Sequence, residues 1–189
     1  MTNTNSILDY IEVYEGAIGR ALCDKITTHY TNSPSWETST FATNDGHAEN
    51  SSDSVRMRQY WVENNEPYRT DLTKVYTDAV TDYIGKHSKI VPLVFTRFRL
   101  NWYGKGGFMK NHIDNIHHSH GQQYGYPHVT ALGFLNDEYE GGDFSLCNGE
   151  MVLQPKKGDL IVFPSNFMYP HEVKPVTSGD RITCMTWIM

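Results

Sequence analysis

The stretch "LVFTRFRLNWY", residues 93–103, marks the point where the sequence changes from a helical to a strand-like pattern. Its side chains alternate with a period of two, which is typical of an extended segment with two different faces. One face carries Val94, Phe98, Leu100 and Trp102, and the other carries Arg97, Arg99, Asn101 and Tyr103. The segment is therefore predicted to be a β-strand.

Further short strands are predicted downstream, where apolar runs are bounded by turn signals such as "EGGD" and "PKKGD". These runs are "VTALGFL" at 129–135, "DFSLC" at 143–147, "DLIVFP" at 159–164 and "RITCMTWIM" at 181–189. Both faces of the last run are largely apolar, which is typical of a strand that is buried on both sides.

Helices are predicted upstream of the strands, at residues 16–30 and 65–87. In the first, Ile18, Leu22 and Ile26 are four residues apart and form one apolar stripe. In the second, Pro67 suits the first turn and Gly85 can end the helix. The polar residues 31–56 predict a loop between them, interrupted by a strand near 36–41. Helices followed by short antiparallel strands indicate an α+β, mainly β fold, with helices on one side of a jelly roll or barrel.

The length and composition predict one globular domain, with a helical support region at 1–92 and a strand-rich core at 93–189. The formal net charge of -6 and the lack of a basic block argue against a nucleic-acid binder. No apolar run approaches the roughly 18 residues that span a membrane. The first residues lack a signal-peptide pattern, and three widely spaced cysteines form no zinc or disulfide framework. These features predict a cytoplasmic protein.

A candidate metal site begins with "HIDN", residues 112–115. His112 and Asp114 are two apart, so on an extended segment they point to the same side. His171, directly after the strand at 159–164, is the candidate third ligand. Two histidines and one carboxylate with three open positions form the facial triad of non-haem Fe(II) oxygenases. The neighbouring histidines His117, His118 and His120 are interpreted instead as part of a solvated polar loop.

Arg181 opens the last predicted strand, ten residues after His171. An arginine at the head of a strand that is buried on both sides needs an anionic partner, because an unpaired buried charge is costly. One interpretation is an ion pair with an Asp or Glu of this chain. The other is a bidentate clamp on a carboxylate of a dicarboxylic cosubstrate.

Four motifs occur in an order that resembles a known family. They are "HID" at 112–114, "EGGDFSL" at 140–146, "PKKGDLIVFPS" at 155–165 and "HEVKPVTSGDRITCMTWI" at 171–188. Taken together they resemble the Fe(II)/2-oxoglutarate-dependent dioxygenases of the prolyl 4-hydroxylase type, and the closing segment is especially similar to bacterial PKHD-type hydroxylases. The resemblance implies a double-stranded β-helix with His112, Asp114 and His171 as the iron ligands.

The same resemblance assigns the cosubstrate contacts. It implies that Arg181 binds the C5 carboxylate of 2-oxoglutarate and that Tyr103 bonds the same cosubstrate, provided that a one-residue gap precedes His112. Thr183 shares the face of Arg181 and is a candidate for a further hydrogen bond; its other interpretation is a satisfied strand threonine. Phe134 stands where some relatives carry a tyrosine hydroxyl.

The reaction implied by the resemblance uses Fe(II), 2-oxoglutarate and O2, with ascorbate as a possible addition, and releases succinate and CO2. The leading hypothesis is hydroxylation of a prolyl or similar residue in a peptide or protein, with the segments 40–56 and 115–127 closing over it. A free amino acid or other small metabolite is the alternative substrate. A non-catalytic jelly-roll binding module is the alternative of a different class.

Overall fold

The helices flank one side of the molecule. In the computed structural model, the residues described are 6–33, 35–42, 48–49, 53–91, 94–115 and 125–189. Helix α1 spans Arg20–Thr31 and helix α2 spans Arg69–Lys86. The buried residues of α2 are Leu72, Tyr76, Ala79, Val80 and Tyr83, a spacing that places them on one face of the helix. Gly85 lies inside the last turn of α2 and does not end it, which corrects the prediction.

Short antiparallel strands make up most of the remaining regular structure. In chain order they are β1 Glu12–Tyr14, β2 Glu37–Thr38, β3 Phe41–Ala42, β4 Ala48–Glu49, β5 Val55–Arg56, β6 Arg58–Trp61, β7 Arg99–Tyr103, β8 Phe108–His112, β9 Val129–Phe134, β10 Tyr139–Gly141, β11 Phe144–Leu146, β12 Met151–Leu153, β13 Leu160–Pro164, β14 His171–Val173, β15 Val176–Gly179 and β16 Arg181–Ile188. Short 3-10 helices at Ile7–Tyr10 and Cys147–Gly149 complete the regular elements of the described ranges.

The larger sheet has the strand order β1-β13-β9-β16-β7-β6-β2, and a second sheet has the order β12-β11-β14-β8-β5. Two further pairs, β10 with β15 and β3 with β4, lie outside these sheets. Strand β16 sits in the middle of the larger sheet, between β9 and β7. The prediction of a mainly β fold with antiparallel strands is confirmed.

The larger sheet separates two clusters of buried side chains. One cluster joins both helices to the outer face of this sheet and includes Ile26, Tyr76 and Leu100. The other includes Met109 and Val173 of the smaller sheet with Met185 of the larger sheet, so it lies between the two sheets. The helices therefore pack on one face, as predicted, and the second face is turned toward the smaller sheet.

The contact between α2 and the larger sheet is unusually close at Gly133 of β9. A Cβ atom at this position would lie 2.5 Å from the Tyr76 hydroxyl oxygen. That hydroxyl passes over the glycine and donates a 2.6 Å hydrogen bond to the carbonyl oxygen of Cys184 on β16. The absence of a side chain at Gly133 therefore lets the helix bond directly to the central strand.

Several strands were not predicted. The strand predicted at 93–103 is confirmed only for Arg99–Tyr103, and before it Phe95 forms an isolated bridge with Ile188. Strand β6, within the region interpreted as helix and loop, pairs with β7 and extends the larger sheet. Strands of two to four residues contain too few alternations to be distinguished from loops, which explains these omissions. Among the described residues, no helix is long and apolar enough to cross a membrane.

Candidate metal centre

The pairing of β8 with β14 brings the three predicted ligands together. His112 is the last residue of β8, His171 is the first residue of β14, and the two are directly opposite in the antiparallel register. Asp114 follows two residues after His112, just beyond the strand end. The sheet therefore fixes the histidines as neighbours, and the chain leaving β8 supplies the carboxylate.

The ligand atoms of His112, Asp114 and His171 all lie within 4.8 Å of one another. The Nε2 atom of His112 is 3.7 Å from one carboxylate oxygen of Asp114, and that of His171 is 3.5 Å from the other. The two imidazole centroids are 4.3 Å apart. Two nitrogens and a carboxylate at these distances could hold a metal ion.

The outer nitrogen of each imidazole is fixed by a backbone carbonyl. The Nδ1 atom of His112 lies 2.8 Å from the Lys110 oxygen, and that of His171 lies 3.1 Å from the Tyr169 oxygen. A carbonyl only accepts hydrogen bonds, so these contacts require the proton on Nδ1. The unprotonated Nε2 lone pairs are left facing the centre, which is the arrangement that metal-binding histidines use.

The charge states of the cluster suit a cation. Burial alone would raise the pKa of Asp114, but His171, His112 and hydrogen bonds from Thr130 and Trp187 outweigh it and lower the pKa to about 2. Burial is also the main cause that lowers the pKa of His112 to about 4, with a further contribution from His171. At neutral pH the cluster therefore presents one carboxylate beside an uncharged His112.

The Asp114 carboxylate is held in place by a short polar chain. The Thr130 hydroxyl donates a 2.6 Å hydrogen bond to Asp114 Oδ2, and Ser165 lies 2.8 Å from the same hydroxyl. Thr130 and Ser165 are both buried. The sequence offered no signal for these two supports, because a buried threonine in a strand usually packs without a specific role.

A cavity opens beside the three side chains, between the two sheets. Its other polar lining residues are Arg99, Asn101, Tyr103, Thr130, Arg181 and Thr183. The free space within it is small, about 30 Å³.

Arg181 is among the most deeply buried side chains of the cavity, with 1% of its surface exposed. Its guanidinium lies 5.1 Å from the ring centroids of both Tyr103 and Phe134 and hydrogen-bonds the Tyr139 hydroxyl. Its Nε and Nη2 atoms have no hydrogen-bond partner, and no carboxylate of the described ranges pairs with it. The interpretation of Arg181 as a structural ion pair is therefore not supported by the described part of the chain.

The other predicted contacts lie in the same cavity. Tyr103 is directly opposite Arg181 in the register of β7 with β16, and its hydroxyl lies 3.9 Å from the Met109 sulfur. Thr183 is fully buried and accepts a 3.2 Å hydrogen bond from Asn101 Nδ2. Its own hydroxyl proton remains available for donation into the cavity.

Further residues near the site differ in whether the structure describes them. Trp187 is buried and hydrogen-bonds Asp114 through its side chain. The histidines His117, His118 and His120 lie outside the described residues. Sequence analysis placed Arg99 and Asn101 on the face of Tyr103 but gave them no role, and both line the cavity. The alternation of β7 was the signal that could have found them.

Comparisons with known proteins agree with this geometry. The sequence pattern of the family described as the 2OG-Fe(II) oxygenase superfamily matches residues 98–189. A PKHD-type hydroxylase of Stenotrophomonas maltophilia (strain R551-3) is 32% identical over 128 residues, which cover 65% of this chain and 56% of the relative. A second PKHD-type hydroxylase, of Thermosynechococcus vestitus, is 31% identical and covers 71% of this chain and 61% of the relative. The chain thus spans somewhat more than half of the length of these curated relatives.

Solved structures share the overall fold. A viral collagen prolyl hydroxylase from Paramecium Bursaria Chlorella virus-1 superposes with a TM-score of 0.71 at 18% identity, covering 97% of this chain and 98% of that one. A prolyl hydroxylase from Trichoplax adhaerens gives a TM-score of 0.72 at 20% identity, covering 96% of this chain and 85% of that one. Together with the matched sequence pattern, this confirms the predicted resemblance. The matched pattern of the 2OG-Fe(II) oxygenase superfamily spans residues 98–189, which contain all three candidate ligands and Arg181.

Proposed function

We propose that this protein is an Fe(II)- and 2-oxoglutarate-dependent dioxygenase that hydroxylates an unactivated C–H bond. The observation that carries the proposal is the juxtaposition of a two-histidine, one-carboxylate cluster with a buried arginine that lacks an anionic partner in the described residues. A closed structural zinc site would use four protein ligands. Three ligands on one side of a metal leave positions for a cosubstrate and O2.

His112, Asp114 and His171 would hold the iron. Their outer contacts to Lys110 and Tyr169 keep the Nε2 lone pairs directed at the metal position, so little reorientation is needed on binding. When bound, the iron supplies the activation of O2 that couples decarboxylation of 2-oxoglutarate, with release of succinate and CO2, to hydroxylation of the substrate. The chain supplies the ligand geometry and the orientation of the cosubstrate.

Arg181 would bind the C5 carboxylate of 2-oxoglutarate through the two guanidinium nitrogens that have no partner. Tyr103 lies directly across from Arg181 and would donate its hydroxyl proton to the same carboxylate. Thr183, two residues along β16, would donate the hydroxyl proton that its bond from Asn101 leaves available. Phe134 packs on the Arg181 guanidinium and provides no hydroxyl of its own.

The arrangement of the two sheets supports the proposal that residues 1–189 form one domain built on a double-stranded β-helix. The buried cluster between the sheets contains residues of both, and the candidate ligands come from the smaller sheet while Arg181 comes from the larger one. In this proposal the cavity would lie between the two halves of the jelly roll, and His112, Asp114 and His171 would hold the iron at its mouth.

The substrate that we favour is a prolyl or similar residue of a peptide or protein. The prolyl hydroxylase from Trichoplax adhaerens, whose fold is similar, was solved in complex with a hypoxia inducible factor oxygen degradation domain peptide fragment. That likeness supports an extended peptide as the occupant here, with the segments 40–56 and 115–127 as candidate covers; both lie partly outside the described residues. A free amino acid or another small metabolite would need the same iron site.

Mass spectrometry tests this proposal. The protein is incubated with Fe(II), 2-oxoglutarate, ascorbate and either proline-containing peptides or free amino acids, and products are searched for a gain of one oxygen. Succinate formation that requires Fe(II) and is absent in an Asp114→Ala variant is expected. The absence of iron-dependent succinate from the unaltered protein would leave the binding-module interpretation. Reaction with free amino acids and with no peptide would replace the peptide substrate by a small molecule.

A further inference from the structure

Arg99 is a second buried arginine in the same cavity, and none of the roles described above uses it. We propose that Arg99 binds a carboxylate group next to the candidate metal ligands, separate from the carboxylate held by Arg181. This inference rests on the proposed function, since it concerns the same cavity. It predicts that two carboxylates, at opposite ends of the cavity, are bound during the reaction.

The present surroundings of Arg99 do not balance its charge. Only 6% of the residue is exposed, and its Nε atom is buried without a hydrogen-bond partner in the part of the chain that the structure describes. Its Nη2 atom lies 3.0 Å from the sulfur of Met185, which is a weak acceptor. No Asp or Glu of the described ranges forms an ion pair with it. A buried cation with these contacts remains costly until an anion joins it.

The guanidinium is held by aromatic rings. Its carbon lies 4.9 Å from the Trp187 ring centroid and 5.7 Å from that of Trp61. Contacts of this kind stabilise a cation and fix its orientation, but they leave its N–H groups free for a planar acceptor. A carboxylate is the acceptor that fits such a fork with two parallel hydrogen bonds.

The position along the strands separates Arg99 from Arg181. Arg99 pairs with Met185 and Tyr103 pairs with Arg181 in the same antiparallel register. The two arginines are therefore four residue positions apart along the strand direction, roughly 13 Å. Trp187, which contacts Arg99, also hydrogen-bonds Asp114. Arg99 is thus at the metal end of the cavity, and Arg181 is at the far end.

Burial lowers the pKa of the Arg99 guanidinium. Asp114 is close enough to interact electrostatically with Arg99 and to raise that pKa, but it forms no ion pair or hydrogen bond with it. Both of its carboxylate oxygens face the two imidazoles, and one of them also accepts the hydrogen bond from Thr130. Because no Asp or Glu of the described ranges forms an ion pair with Arg99, we infer that the carboxylate that pairs with Arg99 comes from a bound molecule. It is either the C1 carboxylate of 2-oxoglutarate, whose C5 end is at Arg181, or a carboxylate carried by the hydroxylated substrate.

The test compares the unaltered protein with Arg99→Met, which keeps the length of the side chain, and Arg99→Lys, which keeps the charge without the fork. Arg97→Met is the matched control, because Arg97 is also close to the Trp61 ring but is half exposed and paired with Glu63. Binding is measured with Mn(II) in place of iron, by calorimetry for 2-oxoglutarate and by tryptophan fluorescence for acetate, L-proline and L-prolinamide. Trp61 and Trp187 flank Arg99, so the fluorescence reports on this end of the cavity.

Loss of a hydrogen bond to a charged group weakens binding by at least about tenfold. If 2-oxoglutarate binds that much more weakly to Arg99→Met, with Arg99→Lys in between, the carboxylate is the C1 group. If 2-oxoglutarate binds equally but acetate and L-proline lose affinity while L-prolinamide does not, the carboxylate belongs to the substrate. Arg97→Met should match the unaltered protein in both arms.

The inference is overturned if two results occur together. The folded Arg99 variants bind 2-oxoglutarate as tightly as the unaltered protein does, and the binding of acetate and L-proline is equal in all of them or undetectable. Mn(II) binding and a cooperative thermal transition show that each variant is folded. A failure of the proposed function gives a different result, since the unaltered protein itself would then bind no Mn(II) or no 2-oxoglutarate. Acetate titrated into the metal-free protein still tests Arg99 in that case.

Discussion

The two faces of strand β16 are equally buried but carry different chemistry. One face, with Ile182, Cys184 and Ile188, packs in the cluster that joins the helices to the larger sheet. The other, with Arg181, Thr183 and Met185, lines the cavity beside the candidate metal ligands. All eight residues of the strand are buried. Burial alone therefore does not distinguish the supporting face from the functional one.

The difference lies in whether the polar groups have partners. On the helix face, the Thr186 hydroxyl donates to the Thr96 carbonyl, so its polar group is satisfied within the protein. On the cavity face, two nitrogens of Arg181 have no hydrogen-bond partner among the described residues. The hydroxyl of Thr186 on the helix face therefore needs no ligand, whereas the two nitrogens of Arg181 on the cavity face need a ligand to accept their hydrogen bonds. Substitutions on the two faces should therefore affect different measurements.

The largest effect is expected when a ligand of the candidate metal centre is removed. His171→Ala leaves one histidine and one carboxylate, and His112→Ala and Asp114→Ala likewise leave two ligands. Mn(II) binding should weaken by more than roughly 100-fold, because even the loss of an outer partner of a metal ligand costs about 10- to 100-fold. Succinate formation should become undetectable. Metal content after dialysis and calorimetric Mn(II) titration measure the effect.

His128→Ala is the matched control for the metal ligands, since His128 is exposed and lies just before β9. It should bind Mn(II) as the unaltered protein does. Retained metal in the His171→Ala variant would show that the cluster of His112, Asp114 and His171 is not the metal centre.

Arg181→Met should act on the cosubstrate alone. Removing one partner of a buried, hydrogen-bonded charge pair costs about 2–5 kcal/mol, so the affinity for 2-oxoglutarate should fall by that amount. Mn(II) binding should be unchanged, because Arg181 contacts none of the candidate ligands among its observed partners. Calorimetry with the Mn(II)-loaded protein measures both. Normal 2-oxoglutarate affinity in this variant would make Arg181 a structural residue, and the distinction between the two faces would fail.

Ile182→Ala, on the opposite face, should act on stability alone. Ile182 is 5% exposed and packs against the helix-side cluster. Truncation of a buried isoleucine to alanine should lower the free energy of unfolding by about 2 kcal/mol, at the low end of the range for such changes. Denaturant unfolding measures this loss, and 2-oxoglutarate affinity of the folded protein should be unaltered. A large change in affinity without a change in stability would contradict the assignment of this face.

Which residues of β16 share a face was predictable from the sequence because this strand is long. Eight residues give four alternations, and the only arginine of the strand stands at its start. The helices were predicted for the same reason, since α2 repeats its apolar spacing over several turns. Long, strongly periodic elements carry enough repeats to be identified without tertiary information.

Other features depend on tertiary pairing. The meeting of His112 with His171 follows from the register of β8 with β14, which no local pattern determines. His171 was predicted as the third ligand from its position after the strand at 159–164, and the resemblance implied the same role. Arg99 was assigned to the correct face of β7, but whether its charge has a partner depends on strands far away in the sequence. The supports Thr130 and Ser165 were missed for the same reason.

The smallest effect is expected for Thr183→Val, which tests the cavity face without changing a charge. Valine keeps the shape of the side chain but removes the hydroxyl that would donate to 2-oxoglutarate, so the affinity should fall by about 1 kcal/mol, the usual contribution of one hydrogen bond. The Asn101 amide also loses its acceptor, so unfolding must be measured in parallel. Thr183→Ser is the control, because it keeps the hydroxyl and should bind 2-oxoglutarate nearly normally. If Thr183→Val lowers stability but leaves the affinity equal to that of Thr183→Ser, Thr183 is a satisfied strand threonine, and the functional part of this face is confined to Arg181.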